Sequence, residues 1–344
     1  MLAAAILAAA LSGEAPQLTV RPAPERPKPG GVVVLEIGSD RALRTLAAAE
    51  SPKGFWLEPG PDASRYRGLL GIDLDREAGP YRLALRGLDA AGHPFTFAYS
   101  IRVAAGHFTV EPLRVDPGFV EPPASVAERI EAERVRVARV WETGDRERRW
   151  TGPFGLPLEK TAARDNFGAR RILNGQKRAP HNGVDFSAPV GTPVEAPAPG
   201  RVALAEDLYF SGGTVILDHG GGLFTSYFHL SKIDVAAGDV VEPGRRLGAV
   251  GATGRVTGPH LHWSARLAGA RINPLSLRRL PSWPLTPEGP APSKGGEPSA
   301  PAAPCCSRSP RASSDRTSGA DSSGSPPARE GRALGRVREE LSRR

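Results

Sequence analysis

The sequence predicts a mostly β protein: a small N-terminal β-sandwich, a linker helix, a second domain of antiparallel β-structure and a disordered tail. Apolar and polar residues alternate from Phe95 to Val103 and from Tyr81 to Arg86, which is typical of strands with one buried face. The 344 residues include 40 glycines and 35 prolines, which favour turns and short strands over long helices. Several short strands separated by turn signals are the pattern of a small sandwich.

The first twelve residues predict a signal segment. Residues 2–12 form an apolar run that is too short to span a bilayer but fits the core of a secretory signal. Ala10-Leu11-Ser12 resembles a small-x-small cleavage site, although no lysine or arginine precedes the run. We therefore expect export to the periplasm or cell envelope, or secretion, and no integral membrane span.

Residues 17–115 are predicted to form the β-sandwich-like domain. The two alternating runs are joined by a hairpin loop from Gly87 to Gly92, and Val32 to Ile37 is another strand candidate. No cluster of catalytic residue types occurs in this part, which we interpret as a binding or spacer module.

Residues 125–143 predict the linker helix. Ser125 and Glu128 have the spacing of a capping box, and Val126, Ile130, Val137 and Val140 recur at helical spacing. Gly144 offers a stop signal.

Residues 150–280 predict the second β domain, and residues 285–344 the tail. Strand candidates run over 201–205, 214–217, 223–228, 247–250 and 260–266, and residues 218–222 form a hairpin turn between two of them. The tail is rich in Pro, Ser, Gly, Ala and Arg and contains no aromatic residue, so we expect disorder there.

The net charge of +8 does not by itself identify a partner. A basic surface can hold an anionic polymer, but no nucleic-acid-binding motif accompanies the charge and aromatic residues make up 6% of the chain. We therefore expect no nucleic-acid partner.

Residue types that carry metal chemistry concentrate between residues 181 and 262. His260 and His262 lie at i and i+2 and would share one face of a strand, with Leu261 packing behind them. His181 and Asp185 form a second pair, and His229 ends a strand pattern. Two imidazoles and a carboxylate around Zn²⁺, with a fourth position left to water, form the open arrangement of a catalytic zinc site.

The remaining histidines, His93, His107 and His219, are interpreted as surface residues without a role. Both cysteines, Cys305 and Cys306, lie in the tail, which excludes thiolate ligands near these motifs.

These motifs resemble the catalytic domain of lysostaphin-type (LytM-like) zinc metallopeptidases over residues 160–275. The matching stretches are NFGARR at 166–171, NG at 174–175, PHNGVD at 180–185, GTPV at 191–194, APAPGRV at 196–202, GDVV at 238–241 and TGRVTGPHLH at 253–262. The resemblance implies that His181, Asp185 and His262 bind one zinc ion. It also implies that His229 and His260 are the catalytic pair, and that peptidoglycan stem peptides are the substrate.

Amide hydrolysis by such a site requires a general base. The chain contains no His-Glu-x-x-His motif, so the glutamate base of thermolysin-like enzymes is absent, whereas imidazole titrates in the required range. His229 and His260 are the candidates, and the sequence does not assign the base to either. Gly183, Gly254 and Gly258 are expected to let an extended peptide approach closely.

The sequence thus predicts an exported zinc metalloendopeptidase that hydrolyses peptidoglycan cross-links through a metal-activated water. One alternative is a non-catalytic or latent envelope factor that activates another wall hydrolase. A second is a secreted peptidase with a target outside the wall. The order of the domains also suggests that the sandwich partly covers the groove and restrains activity.

Overall fold

The computed structural model describes residues 15–49, 54–60 and 62–283. Its first seven strands are β1 (Leu18–Ala23), β2 (Val32–Ser39), β3 (Leu43–Ala48), β4 (Phe55–Pro59), β5 (Arg65–Gly71), β6 (Gly79–Asp89) and β7 (Pro94–Val103). They form a four-stranded sheet in the order β1-β2-β5-β4 and a three-stranded sheet in the order β3-β6-β7. Leu35 of β2, Leu70 of β5 and Leu83 of β6 are fully buried in the core shared by these sheets, as the alternation predicts.

The connection between the sandwich and the second sheet contains one strand and one long helix. β8 (Val110–Leu113) is followed by short 3₁₀ turns at Pro117–Phe119 and Ala124–Val126 and by α1 (Ala127–Glu142). Val137, Val140 and Trp141 of α1 pack beside Phe224. The predicted capping box is wrong. The 3₁₀ turn moves the N-cap to Val126, which has no capping side chain, so Ser125 does not cap α1.

The second half of the described chain is built almost entirely of strands. They are β9 (Arg170–Leu173), β10 (Gln176–Lys177), β11 (Gly183–Phe186), β12 (Pro193–Glu195), β13 (Gly200–Leu208), β14 (Gly212–Asp218), β15 (Leu223–Ile233), β16 (Val240–Val241), β17 (Arg246–Val250), β18 (Leu261–Leu267) and β19 (Ala270–Ile272). A 3₁₀ helix, Pro274–Arg279, follows them.

A nine-stranded antiparallel sheet organises this half. Its main order is β11-β18-β15-β14-β13-β16, with β12 and β17 joined through β15 and β19 paired to β18. β8 pairs in parallel with β9, in a small sheet completed by β10. The mostly β fold class is therefore confirmed, and the parallel β8–β9 pair is the departure from the antiparallel pattern expected.

A shared apolar core joins the sandwich to the nine-stranded sheet. Leu69 of β5 is buried in the same cluster as Leu267 of β18 and Ile272 of β19, and Trp56 packs against it. An ion pair between Arg271 and Asp73, at 2.6 Å, lies at the edge of this contact.

The signal segment 1–12 and the tail 285–344 lie outside the described residues, so their predictions stay predictions. Within the described part of the chain, no helix has both the length and the apolar character needed to cross a bilayer.

Candidate active site

Three side chains converge in the lining of a surface groove. His181 Nε2 lies 2.8 Å from His262 Nδ1 and 3.1 Å from Asp185 Oδ1, and His262 Nδ1 lies 3.0 Å from the same carboxylate oxygen. All three residues are buried. The structure therefore brings together the three residues for which the sequence predicts a shared ion.

Strand pairing explains the convergence. β11 runs antiparallel to β18, and Asp185 lies directly opposite His262 in the register. Opposed residues on one face of an antiparallel pair have neighbouring side chains. His181 lies two residues before the start of β11, and its ring lies against the ring of His262 with centroids 4.7 Å apart.

Backbone carbonyls fix the orientation of three histidine rings. His181 Nδ1 lies 2.9 Å from the carbonyl of Asn166, His229 Nδ1 lies 2.8 Å from that of Thr253, and His260 Nδ1 lies 2.8 Å from that of Gly258. A carbonyl oxygen can only accept, so each Nδ1 carries the proton and donates it. The Nε2 atom of each neutral ring consequently carries a lone pair.

Asp185 is held by its second oxygen. Asn166 Nδ2 donates to Asp185 Oδ2 at 2.9 Å, and Arg171 Nη2 donates to the same oxygen at 2.8 Å. Oδ1 is thereby turned toward the two histidines. Burial raises the pKa of Asp185, but the nearby rings of His181 and His262 outweigh this effect and hold that pKa far below its usual range. The sequence did not indicate these roles of Asn166 and Arg171, although both lie in the NFGARR stretch at 166–171.

His229 and His260 lie beside this trio. Their ring centroids are 4.8 Å apart, and His260 Nε2 is 3.8 Å from Asp185 Oδ1. His229 has a φ of +64° at a bulge in β15, where two residues oppose one residue of β14. A bulge re-aims a side chain, and here the departure from regular strand geometry places a histidine at the groove.

Burial keeps two of these rings neutral. Burial lowers the pKa of His262 to about 4, an effect that its hydrogen bond with Asp185 opposes. Burial, followed by the nearby His262 and His260, lowers the pKa of His229 to about 3. Neutral imidazole is the form that binds metals and accepts protons.

The trio fits a single divalent cation. Each pair of donor atoms is separated by 2.8–3.1 Å, which is less than twice the usual zinc–ligand distance of about 2.0–2.2 Å, so one ion can touch all three. Two neutral imidazoles and one ionised carboxylate are a donor set that zinc accepts. The ring of His262 is held in place by Phe228, which stacks on it with centroids 5.2 Å apart and an interplanar angle of 3°.

The groove around these residues has a volume of about 350 Å³. Its lining includes Glu111, Leu113 and Val115, from β8 and the residues just after it, and four arginines. Among the described residues, none from the two sandwich sheets lines it. Of the predicted domain 17–115, β8 and Val115 thus reach the groove, whereas the described residues of the two sheets do not. Restraint of activity by this domain stays a prediction.

The three glycines that were expected to let a peptide approach differ in their surroundings. A Cβ on Gly258 would meet no atom within 4 Å, so this glycine leaves open space. A Cβ on Gly183 would lie 2.4 Å from the carbonyl oxygen of Trp263, and one on Gly254 would lie 2.4 Å from the backbone nitrogen of Gly212. Gly183 and Gly254 thus permit close packing within the protein, and the expectation for them is wrong.

The interpretation of His219 as a surface residue is also wrong. Its exposed fraction is 0%, and its ring bonds to the Pro199 carbonyl at 2.6 Å and to Thr225 Oγ1 at 2.8 Å. Burial lowers the pKa of His219 to about 4, which the hydrogen bond to Pro199 opposes. His93 and His107 are exposed, as expected.

Comparisons with known proteins identify the family of this chain. The sequence profile of Peptidase family M23 matches residues 179–274, which include the trio and both neighbouring histidines. A Pseudomonas aeruginosa crystal structure assigned to peptidase M23 superposes with a TM-score of 0.57 at 31% sequence identity. The match covers 74% of this chain and 95% of that one.

Two curated relatives have names that state an activity. Peptidoglycan DD-endopeptidase ShyA of Vibrio cholerae is 46% identical over 109 residues, 31% of this chain and 25% of ShyA. DD-carboxypeptidase/endopeptidase Mpg of Neisseria meningitidis is 41% identical over 138 residues, 39% of this chain and 31% of Mpg. The chain thus spans between a quarter and a third of the length of these relatives.

Proposed function

The chain belongs to peptidase family M23, the lysostaphin-type (LytM-like) peptidases, and from that premise we propose that it is an exported zinc metalloendopeptidase acting on peptidoglycan cross-links. The observation that carries the proposal is the convergence of His181 Nε2, Asp185 Oδ1 and His262 Nδ1 within 3.1 Å of one another. His229 and His260 beside them supply the acid–base groups that peptide hydrolysis requires.

His181, Asp185 and His262 would hold one zinc ion. When bound, zinc supplies Lewis-acid activation of water and of the scissile carbonyl. Asn166 and Arg171 hold Asp185 Oδ2 and so would keep Oδ1 facing the ion, as partners behind metal ligands commonly do.

His229 and His260 handle the protons. Because the Nδ1 proton of each ring is bound to a backbone carbonyl, each presents its Nε2 lone pair as a proton acceptor. One ring takes a proton from the attacking water; that proton then passes to the other ring, which donates it to the oxyanion or the leaving amine, so both rings end neutral. Their ring separation of 4.8 Å allows both to contact one reacting group.

The relatives support the choice of substrate. ShyA is named as a peptidoglycan DD-endopeptidase and Mpg as a DD-carboxypeptidase/endopeptidase. Gly258 leaves open space on the groove wall, which suits an extended peptide made of small residues.

Digestion of purified sacculi tests the proposal. The full-length protein loaded with zinc should release muropeptides detectable by mass spectrometry, and a chelator should stop the release. Replacing exposed His93, on the β6–β7 hairpin, with alanine serves as the matched control and should leave release unchanged. Absence of release by zinc-loaded protein would refute the proposal and favour the latent-activator alternative. Cleavage of proteins but not of sacculi would favour a target outside the wall.

Export is part of the proposal. Residues 2–12 have the apolar character of a signal core, and peptidoglycan lies outside the cytoplasmic membrane. Cell fractionation and N-terminal sequencing of the mature protein test it. An intact Met1 on protein found only in the cytoplasm would contradict export.

A further inference from the structure

Arg255 is a cation on the groove wall that the proposed chemistry does not use. Its guanidinium lies 4.9 Å from the centroid of the Phe210 ring, and its side chain lines the groove that contains the metal-binding trio. The residue is half-buried. No carboxylate of residues 15–49, 54–60 or 62–283 forms a hydrogen bond or ion pair with this guanidinium. The N–H groups of this guanidinium are therefore free to donate hydrogen bonds to a ligand.

The groove places two further arginines near Arg255. Arg178 Nη2 donates to two neutral acceptors, the Val120 carbonyl at 2.8 Å and Gln176 Oε1 at 2.6 Å. Arg171 bonds to Asp185 Oδ2 at 2.8 Å, which ties this group of cations to the metal-binding trio.

Burial, then repulsion from Arg171 and Arg178, lowers the pKa of Arg255. A guanidinium titrates so far above neutral pH that Arg255 still carries its full charge. A half-buried cation without an acidic partner, facing other cations, costs free energy that a bound anion would offset. The planar guanidinium fork matches a carboxylate through two parallel hydrogen bonds.

The chemistry of a peptide bond indicates which carboxylate of a substrate would be bound. The carboxyl of the residue on the acyl side is consumed in the scissile bond. The residue that provides the leaving amine keeps its own carboxylate when it is C-terminal or when a side-chain amine forms the cross-link. The free carboxylate nearest the scissile bond therefore belongs to the leaving residue.

We propose that Arg255, assisted by Arg178, binds a free carboxylate on the leaving residue of the peptide substrate. The inference rests on the proposed function and specifies its substrate class. Cross-links and chain ends whose leaving amine lies beside a carboxylate are substrates, whereas the interior bonds of a glycine bridge lack this group and are disfavoured.

Paired synthetic peptides test the inference. The two peptides are identical except that the leaving residue ends in a carboxylate or in a carboxamide. The full-length zinc-loaded protein should cleave the carboxylate peptide with a kcat/KM about 10- to 100-fold higher, as one charge-assisted contact predicts. Arg255→Gln should remove this preference by slowing the carboxylate peptide alone. Arg255→Lys should retain part of it, because lysine keeps the charge without the fork.

Arg245→Gln is the matched control for charge. Arg245 is exposed in the turn between β16 and β17 and does not line the groove, so this variant should keep the full preference. Because a carboxylate can also bind zinc directly, fluorescence anisotropy with uncleavable versions of both peptides is measured with chelator present. Wild type should bind the carboxylate version more tightly, and Arg255→Gln should bind the two equally.

The outcomes separate the two proposals. Cleavage of sacculi with equal rates on the paired peptides would overturn the subsite and leave the peptidase proposal standing. An unchanged preference in Arg255→Gln, or equal slowing of both peptides, would also overturn it. If the protein cleaved neither sacculi nor any of the peptides, the peptidase proposal would be refuted. The anisotropy measurement would still decide whether Arg255 binds the carboxylate.

Discussion

Replacing Gly183 with alanine should separate β11 from β18 and weaken zinc binding. An ideal Cβ at this position would lie 2.4 Å from the Trp263 carbonyl oxygen and 2.7 Å from His262 Nε2. Real Cβ contacts essentially never fall below 3.0 Å. The distance from the new Cβ to the Trp263 carbonyl oxygen must therefore increase by about 0.6 Å. Metal sites tolerate deviations of about 0.2 Å in ligand distance, so a shift of this size disrupts the trio.

The magnitude follows from these overlaps. Overpacking typically costs about 1–3 kcal/mol in the free energy of unfolding, and we expect Gly183→Ala to fall in that range. Zinc affinity should fall by at least about tenfold, because Asp185 and His262 occupy paired positions on the two strands that are forced apart. Competition with a chromophoric chelator measures the affinity, and urea unfolding measures the stability.

Gly258→Ala provides the comparison. A Cβ there meets no atom within 4 Å, so zinc affinity and unfolding free energy should stay close to the wild-type values. If Gly183→Ala bound zinc as tightly as wild type and unfolded at the same urea concentration, the steric argument would be refuted.

Three further predictions follow from the site and its surroundings. His229→Ala or His260→Ala should abolish turnover while zinc content, measured by mass spectrometry, stays at wild type; loss of zinc would make that residue a ligand. Asn166→Ala removes a donor to Asp185 Oδ2 and should weaken zinc binding by about 10- to 100-fold in the chelator assay. His219 should make stability depend on pH, since its folded pKa of about 4 lies below the ordinary histidine value of about 6.5. The unfolded chain binds the extra proton between these values, so stability is complete above pH 6.5 and falls, by at most about 3 kcal/mol, as pH drops to 4. Urea unfolding across that range should show a smaller pH slope in His219→Gln; an unchanged slope would contradict the assignment.

β15 and β18 of the site could be predicted because each has its own local signal, whereas β11, the short strand that carries Asp185, was not among the predicted strands. The His260-Leu261-His262 pattern predicts that both imidazoles share one face of a strand, and β18 indeed buries Leu261 and Trp263 on the other. The alternation in β6 and β7 is equally local. Period-two patterning is strong wherever one face of a sheet is packed and the other is not.

Features that depend on distant partners could not be predicted. His219 lies in a glycine-rich turn that looks exposed, but the chain covers it: a Cβ on the adjacent Gly220 would overlap the backbone of Glu147. Arg171 donates a hydrogen bond to Asp185, which lies fourteen residues later in the sequence. Nothing in the sequence around Arg171 distinguishes it from the many other arginines. The left-handed backbone of His229 arises from a register shift between strands, which residue spacing does not encode.

β18 connects the candidate site to the rest of the molecule. Its even-numbered residues include His262 at the groove, whereas odd-numbered Leu261 and Trp263 lie in the core of the nine-stranded sheet. Further along the same face, Ala265 and Leu267 lie in the core shared with Leu69 of the sandwich. Because a strand alternates its faces, fixing the odd-numbered side chains fixes the direction of His262. The sandwich therefore contributes to the geometry of the trio through packing behind it, although none of the described residues of its two sheets reaches the groove.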